Sequence, residues 1–277
     1  ENHYEAAMLA AELGKSVLIE KPFVLDLNEA DKILNKAEET GAEIFVGYTQ
    51  RFRRKFLLAK EAVRKGQLGD IVFAMGKIYV TRAVGEAVAA RSPNTTPSIN
   101  TGTYLVDLML WYMEGKTPVE VYAKSGSNVF KPYNRDDFQW MLVTFDDGAV
   151  VSLGTSWLQP RHWPAYTATM EIDLQGTTGC LSIDDAHRDV VLVPNEPIPC
   201  PYTPQHEVSV AFLGSAMPGD FVLGEFFGPM IEETNAFISH TLGIGGVGLT
   251  TGKEARQILA LTMAADRSAK EGVPIKL

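Results

Sequence analysis

A lysine that follows an apolar run and precedes a proline, in Val17-Leu18-Ile19-Glu20-Lys21-Pro22, is placed to do chemistry. At the carboxyl end of a buried parallel strand it stands where open α/β sheets bind their ligands. There its ammonium can hold a substrate hydroxyl, and the low dielectric of the crevice makes the charge felt. Pro22 fixes the turn that leaves the strand. A second candidate is Arg161-His162-Trp163, between two predicted strands. Its indole offers a stacking face for a ring-shaped ligand and its polar groups offer hydrogen bonds; a plain loop is the alternative reading. His187, His206 and His240 are too scattered for a metal site, and no Ser-His-Asp or paired-carboxylate arrangement stands out.

The elements that must position Lys21 alternate in type. Tyr4–Leu13 reads as an alanine-rich helix stopped by Gly14, and Val17–Glu20 as a short buried strand. Asn28 can cap a second helix with Ala30, Ile33, Leu34 and Ala37 on one face and Gly41 at its end; Glu43–Tyr48 follows as a strand. This is the grammar of a parallel, doubly wound sheet. A basic helix, Phe52–Lys65, and a long strand, Ile71–Thr81, come next, and the stretch 85–100 reads as a surface loop. After an apolar helix, Thr103–Met113, segments 119–123, 138–145, 149–157, 167–174 and 180–183 predict one large antiparallel sheet. Residues 194–224, rich in proline and glycine, read as a long excursion before two closing helices. The second of these helices opens on a capping box at Thr251–Glu254. The expected division is 1–50, α/β, and 51–277, a mainly antiparallel sheet with flanking helices.

Composition narrows the function classes. A chain of 277 residues, 45% hydrophobic, buries a full core, and a net charge of −9 disfavours a nucleic-acid partner. The seven basic side chains between Arg51 and Lys65 read as a solvated helix face. No apolar run approaches the ~20 residues of a membrane-spanning helix. Cys180 and Cys200 show no metal-ligand spacing and are too few for a disulfide framework, which points to a reducing cytoplasm.

The order Gly-Lys-x-Val-x-x-Glu-Lys-Pro (from Gly14), Arg51-Phe52, and Gly102 through Asp107 to Trp111 resembles the glucose–fructose oxidoreductase / inositol dehydrogenase / rhizopine-catabolism (Gfo/Idh/MocA) family. The resemblance implies a Rossmann domain followed by an open-faced β-sheet domain. It implies an NAD- or NADP-dependent oxidoreductase of a sugar or polyol, and a homo-oligomer formed through the sheet face. It also places Lys21 beside the nicotinamide and the reacting carbinol, and Asn2, His3, Glu20, Pro22 and Arg51 toward the cofactor. Thr49 and Gln50 fall beside Arg51, and Asp107 and Trp111 read as structural. Where family members usually carry an aspartate and, one helical turn later, a histidine, this chain has Asn100 and Tyr104. Tyr104 is then the acid/base, with Lys21 as the cation available to lower its pKa, and Asn100 hydrogen-bonds a sugar hydroxyl through its amide. A tyrosine packed on a helix face is the alternative.

The glycine-rich phosphate loop of a dinucleotide fold is not in this sequence; Gly243–Gly248 lies between closing helices without a strand before it. Against the family, about three βα units are missing, and the chain opens on Glu1-Asn2-His3 as though cut from something longer. Weak or absent NAD(P) binding is expected on that ground. The rival expectation is a non-catalytic sugar-binding or assembly protein derived from such a dehydrogenase.

Overall fold

The computed structural model describes residues 3–92, 94–164, 168–185, 190–200, 203–213 and 219–277; Asn2, Thr167 and His187 lie outside the described residues. The expected alternation is present at the start. Helix α1 (His3–Glu12) reaches strand β1 (Val17–Glu20) through left-handed Gly14, and α2 (Leu27–Thr40) reaches β2 (Ile44–Gly47) through left-handed Gly41. β1 and β2 pair in parallel, from Val17 opposite Ile44 to Glu20 opposite Gly47. The cap of α2 is Asp26, not Asn28: its carboxylate accepts from the amides of Asn28 and Glu29 at 2.7 and 3.1 Å. Asp26 is the last residue in extended backbone, and that is where a side-chain acceptor reaches the free amides.

A 3-10 turn at Thr49–Phe52 leads into α3 (Arg54–Arg64) and β3 (Ile71–Thr81). The stretch expected as a surface loop is largely helical: α4 (Arg82–Arg91), then a π-type turn (Ser98–Gly102) running directly into α5 (Thr103–Tyr112). Thr81 caps α4 through its hydroxyl. Gly85, read as a loop residue, is a packing position, since a Cβ there would lie 2.7 Å from the Phe130 ring and 2.9 Å from Trp157.

The large sheet uses β3 with β4 (Pro118–Gly126), β5 (Phe138–Phe145), β6 (Val150–Gln159), β7 (Ala168–Gly176) and β8 (Cys180–Asp184). The expected excursion carries short strands. β9 (Val190–Leu192) pairs with β12 (Ala211–Leu213), β10 (Ile198–Cys200) with β11 (Thr203–Val208), and β13 (Asp220–Val222) with β14 (Glu225–Phe227). Helix α6 (Pro229–Thr241), β15 (Thr250–Thr251), α7 (Gly252–Glu271) and β16 (Ile275–Lys276) complete the chain. α7 has the capping box of Thr251 and Glu254 and ends at left-handed Gly272.

Strand order in the sheet is β16-β4-β5-β6-β3-β7-β8, antiparallel throughout except for the parallel pair β3–β6. Helices α5 and α7 cover one face; Gly76 on β3 lets Leu105 and Met109 of α5 come down onto the strand. Phe73, Met75, Trp140 and Leu142 stand exposed on the other face. β15 adds antiparallel to β2 and α7 packs on β2, so the end of the chain closes the first sheet.

Candidate active site

Strand β1 delivers Lys21 to the carboxyl end of the parallel pair, and the cis Lys21–Pro22 peptide leads the chain away. His3 at the start of α1 holds that turn: its Nδ1 lies 2.9 Å from the Pro22 carbonyl oxygen and 3.3 Å from that of Phe23. Facing Lys21 are the π-type turn, which carries Asn100, and the first turn of α5, which carries Tyr104. Lys21 Nζ donates to the main-chain carbonyl of Asn100 at 2.7 Å and stands 4.6 Å from the centroid of the Tyr104 ring. Lys21 is therefore in contact with both Asn100, 79 positions away, and Tyr104. The contact differs from the expected one, because the Asn100 backbone and not its amide receives the lysine. The amide oxygen accepts instead from Thr101 Oγ1 at 3.2 Å.

The electrostatics follow from those partners. Enclosure lowers the Lys21 ammonium to about 8, with Glu20 pulling it up and Arg91 pushing it further down. A carbonyl and an aromatic face offset less of the desolvation than a carboxylate would. The Tyr104 phenol is pushed strongly upward, by burial first and then by Glu20, Tyr48 and Glu233, against a hydrogen bond with Thr49. The expectation that Lys21 lowers Tyr104 is overturned: burial and the neighbouring acids outweigh the ammonium, which lies over the ring face. Tyr104 keeps its proton, and of the two Lys21 is the group that titrates near neutrality.

Glu233 on α6 is a neighbour that sequence reasoning missed. It is buried, and its Oε1 has no hydrogen-bond partner among the described residues. Burial, with Glu20 and Asp107 adding repulsion, raises its carboxyl to about 8. Its place is set by Gly47, where a Cβ would lie 3.3 Å from Glu233 Oε2. The glycine at the end of β2 was the one available signal.

Arg51 sits apart from Lys21. Only 2% exposed, it gives Nε to both oxygens of Asp107 at 2.9 and 3.1 Å, Nη2 to Asp107 at 2.7 Å and Nη1 to Glu254 at 3.0 Å. Its guanidinium also lies 5.0 Å from the Trp111 ring. Thr250 Oγ1 donates to Asp107 at 3.3 Å, so α5, the 3-10 turn, β15 and α7 meet at one ion pair. Burial pushes Asp107 up to about 6 while Arg51 pulls it back. This cluster fixes α5, and with it Tyr104, against the end of β2. Thr49 and Gln50 are likewise buried in that turn.

A cleft bounded by His3, Pro22, Val24, Ser92, Thr95 and Asn100 opens beside Lys21. Arg161, His162 and Trp163 do not join it. Arg161 is paired with Glu86 of α4, Nε to Oε2 at 3.1 Å, and His162 is exposed. Trp163 is half-buried, with Nε1 unpartnered among the described residues. None of the three shares a hydrogen bond or ring contact with Lys21, Asn100 or Tyr104 among the described residues. Among the described residues no group of side chains could hold a metal ion, and no helix is long and apolar enough to cross a membrane.

Comparison with known proteins agrees with this architecture along the chain. The oxidoreductase family with an NAD-binding Rossmann fold matches residues 1–48, and the Gfo/Idh/MocA C-terminal domain matches residues 56–182. The protein belongs to the Gfo/Idh/MocA family. Among its relatives, myo-inositol 2-dehydrogenase of Thermotoga maritima is 24% identical across 99% of this chain and 76% of the relative. The uncharacterized oxidoreductase YhhX of Escherichia coli is 37% identical over 60% of this chain and 47% of its own length. In fold, this Gfo/Idh/MocA protein matches the crystal structure of scyllo-inositol dehydrogenase from Lactobacillus casei with bound NAD(H) and scyllo-inositol. That match has a TM-score of 0.75 at 19% identity, over 99% of this chain and 77% of the other.

Proposed function

We propose that this protein is an oxidoreductase that moves a hydride between a nicotinamide dinucleotide, NAD or NADP, and a carbinol or carbonyl carbon of a sugar or polyol. The observation that carries the reading is Lys21 Nζ held between the Asn100 carbonyl and the Tyr104 ring at the carboxyl end of a parallel strand. The relatives named as inositol dehydrogenases supply the substrate class. In this reading the cleft beside Lys21 would take the nicotinamide end of such a cofactor, with Pro22 and Val24 against a flat ring and His3 and Asn100 toward its carboxamide, while this sequence has no glycine-rich loop for the phosphates. When bound, the cofactor supplies the hydride acceptor or donor. Lys21 holds the substrate oxygen, and with its pKa near 8 it accepts the hydroxyl proton in oxidation and returns it in reduction. Tyr104, locked in its phenol form, orients that oxygen as a hydrogen-bond donor. Arg51 is a positioning residue, one layer below.

Lys21→Ala is expected to cut turnover of inositols or aldoses about 10²–10⁴-fold, the usual range for a lost acid/base group. Tyr104→Phe, which removes only a donor, costs about tenfold to a hundredfold on the scale of one hydrogen bond. Steady-state rates with each nicotinamide check this, and unaffected rates in both variants would sink the assignment. Calorimetry that finds sugar binding without binding of nicotinamide mononucleotide would favour a non-catalytic sugar-binding protein instead. We infer also that the open sheet face, with exposed Phe73, Met75, Trp140 and Leu142, pairs with a second copy. Sedimentation of Leu142→Lys against the unchanged chain tests it.

A further inference from the structure

We propose that Asp266, on α7, is a positioning residue for Lys21, acting through the turn that presents Asn100. This deepens the reading of Lys21 as the central group of the site and rests on it.

The connection is a continuous line of hydrogen bonds. Gln139 Nε2, from the buried side of β5, donates to Asp266 Oδ1 at 2.7 Å. Thr96 Oγ1 donates to Asp266 Oδ2 at 2.8 Å, so both carboxylate oxygens are engaged by neutral donors from different elements. Thr96 in turn governs the turn after it. Its hydroxyl accepts from the Ile99 amide at 3.1 Å, and its carbonyl accepts from the Asn100 amide at 2.9 Å. The Asn100 carbonyl then takes the Lys21 ammonium at 2.7 Å.

The far end of the same turn is held from the sheet, by Trp157 Nε1 donating to Thr101 Oγ1 at 2.9 Å. Asn100 is bracketed between that anchor and Thr96. Removal of the Thr96 anchor leaves the carbonyl free to swing, because a π-type turn lacks the regular ladder that would hold it.

The carboxylate is suited to the task. Threonine and glutamine each offer one proton, and an ionised carboxylate accepts both without the donor conflict an amide would bring. Burial raises the Asp266 carboxyl to about 6, opposed by Thr96 and Gln139, with Asp136 adding to the rise. At neutral pH it is therefore the double acceptor the geometry requires. The cost of a half-buried carboxylate with no cationic partner among the described residues is the observation a purely structural reading leaves unexplained, since a neutral side chain would avoid it.

The test uses the chain as it is, without substrate or cofactor. Asp266→Asn and Thr96→Val cut the same bond from opposite ends, and each variant is measured for amide exchange and for Lys21 titration by ¹³C-methyl labelling of lysine. Each is expected to speed exchange at Asn100 at least tenfold while β1 and β5 stay protected, and to move Lys21 further down from about 8, because the ammonium loses the carbonyl that favours its charged form. The double variant is expected to do no more than either single one. Unchanged Asn100 exchange and an unmoved Lys21 in both variants overturn the proposal, as does a uniform rise in exchange across the chain. Because nothing is turned over, a protein that proves not to be an oxidoreductase leaves the result standing.

Discussion

Lys21 and Arg51 are two sunken cations near the carboxyl ends of neighbouring parallel strands, and they are treated in opposite ways. Arg51 receives two carboxylates and is raised; Lys21 receives a carbonyl oxygen and a ring face and is lowered to about 8. Both draw on α5, through residues three apart: Tyr104 faces the lysine and Asp107 the arginine. A cation whose charges are all answered is fixed and serves as a fastener. One left with neutral company sits near its own titration point and can give up a proton. The difference separates a structural ion pair from a chemical group by partner type, where sequence position alone does not.

The comparison can be broken from the arginine side first. Asp107→Ala leaves the guanidinium buried with only Glu254, and a loss of about 3–5 kcal/mol in urea unfolding is expected; a loss under about 1 kcal/mol would mean the pair is not a fastener. From the lysine side the sign reverses. The folded form releases the Lys21 proton near pH 8 and the unfolded chain near 10.5, so in that window the unfolded state binds more protons. Lys21 thus costs stability below pH 8, and the cost fades as pH rises toward 10.5. Lys21→Met is expected to melt a few degrees above the unchanged chain at pH 7, with the gap closing by pH 10.5. Calorimetric scans across that range check it, and a constant gap would show that Lys21 does not shift. The smallest effect belongs to Arg161→Ala, whose exposed pair with Glu86 should leave both midpoint and turnover unchanged. A selective rise in KM there would bring the 161–163 segment back into the site.

Much of this was legible from residue patterns. Val17–Glu20 and the strand after Gly41 declared themselves by apolar runs between glycine stops, and Lys21 followed from its place at a strand end. The helix α4 was hidden because Gly85 looked like a breaker, although it is small to admit Phe130 and Trp157. What Asn100 does was also hidden, since a backbone carbonyl carries no sequence label. Glu233 and Asp266 were invisible for a related reason: each is a charged residue on a helix, and only packing shows that it points inward. The opposite roles of Arg51 and Lys21 turn on which carboxylates lie within reach, a matter of tertiary distance.

The closure of the first sheet by β15 and the Arg51–Glu254 pair has a consequence in time. Arg51 and Glu254 are 203 positions apart. At a synthesis rate of about 5–20 residues per second, roughly 10–40 s pass between the emergence of the one and of the other. Through that interval β2 has an open edge and Arg51 lacks one of its carboxylates, with the first two strands already out of the ribosome. The nascent chain therefore closes the β1–β2 sheet only after strands β3 to β8 have emerged, and that edge is the surface a chaperone would need to shield.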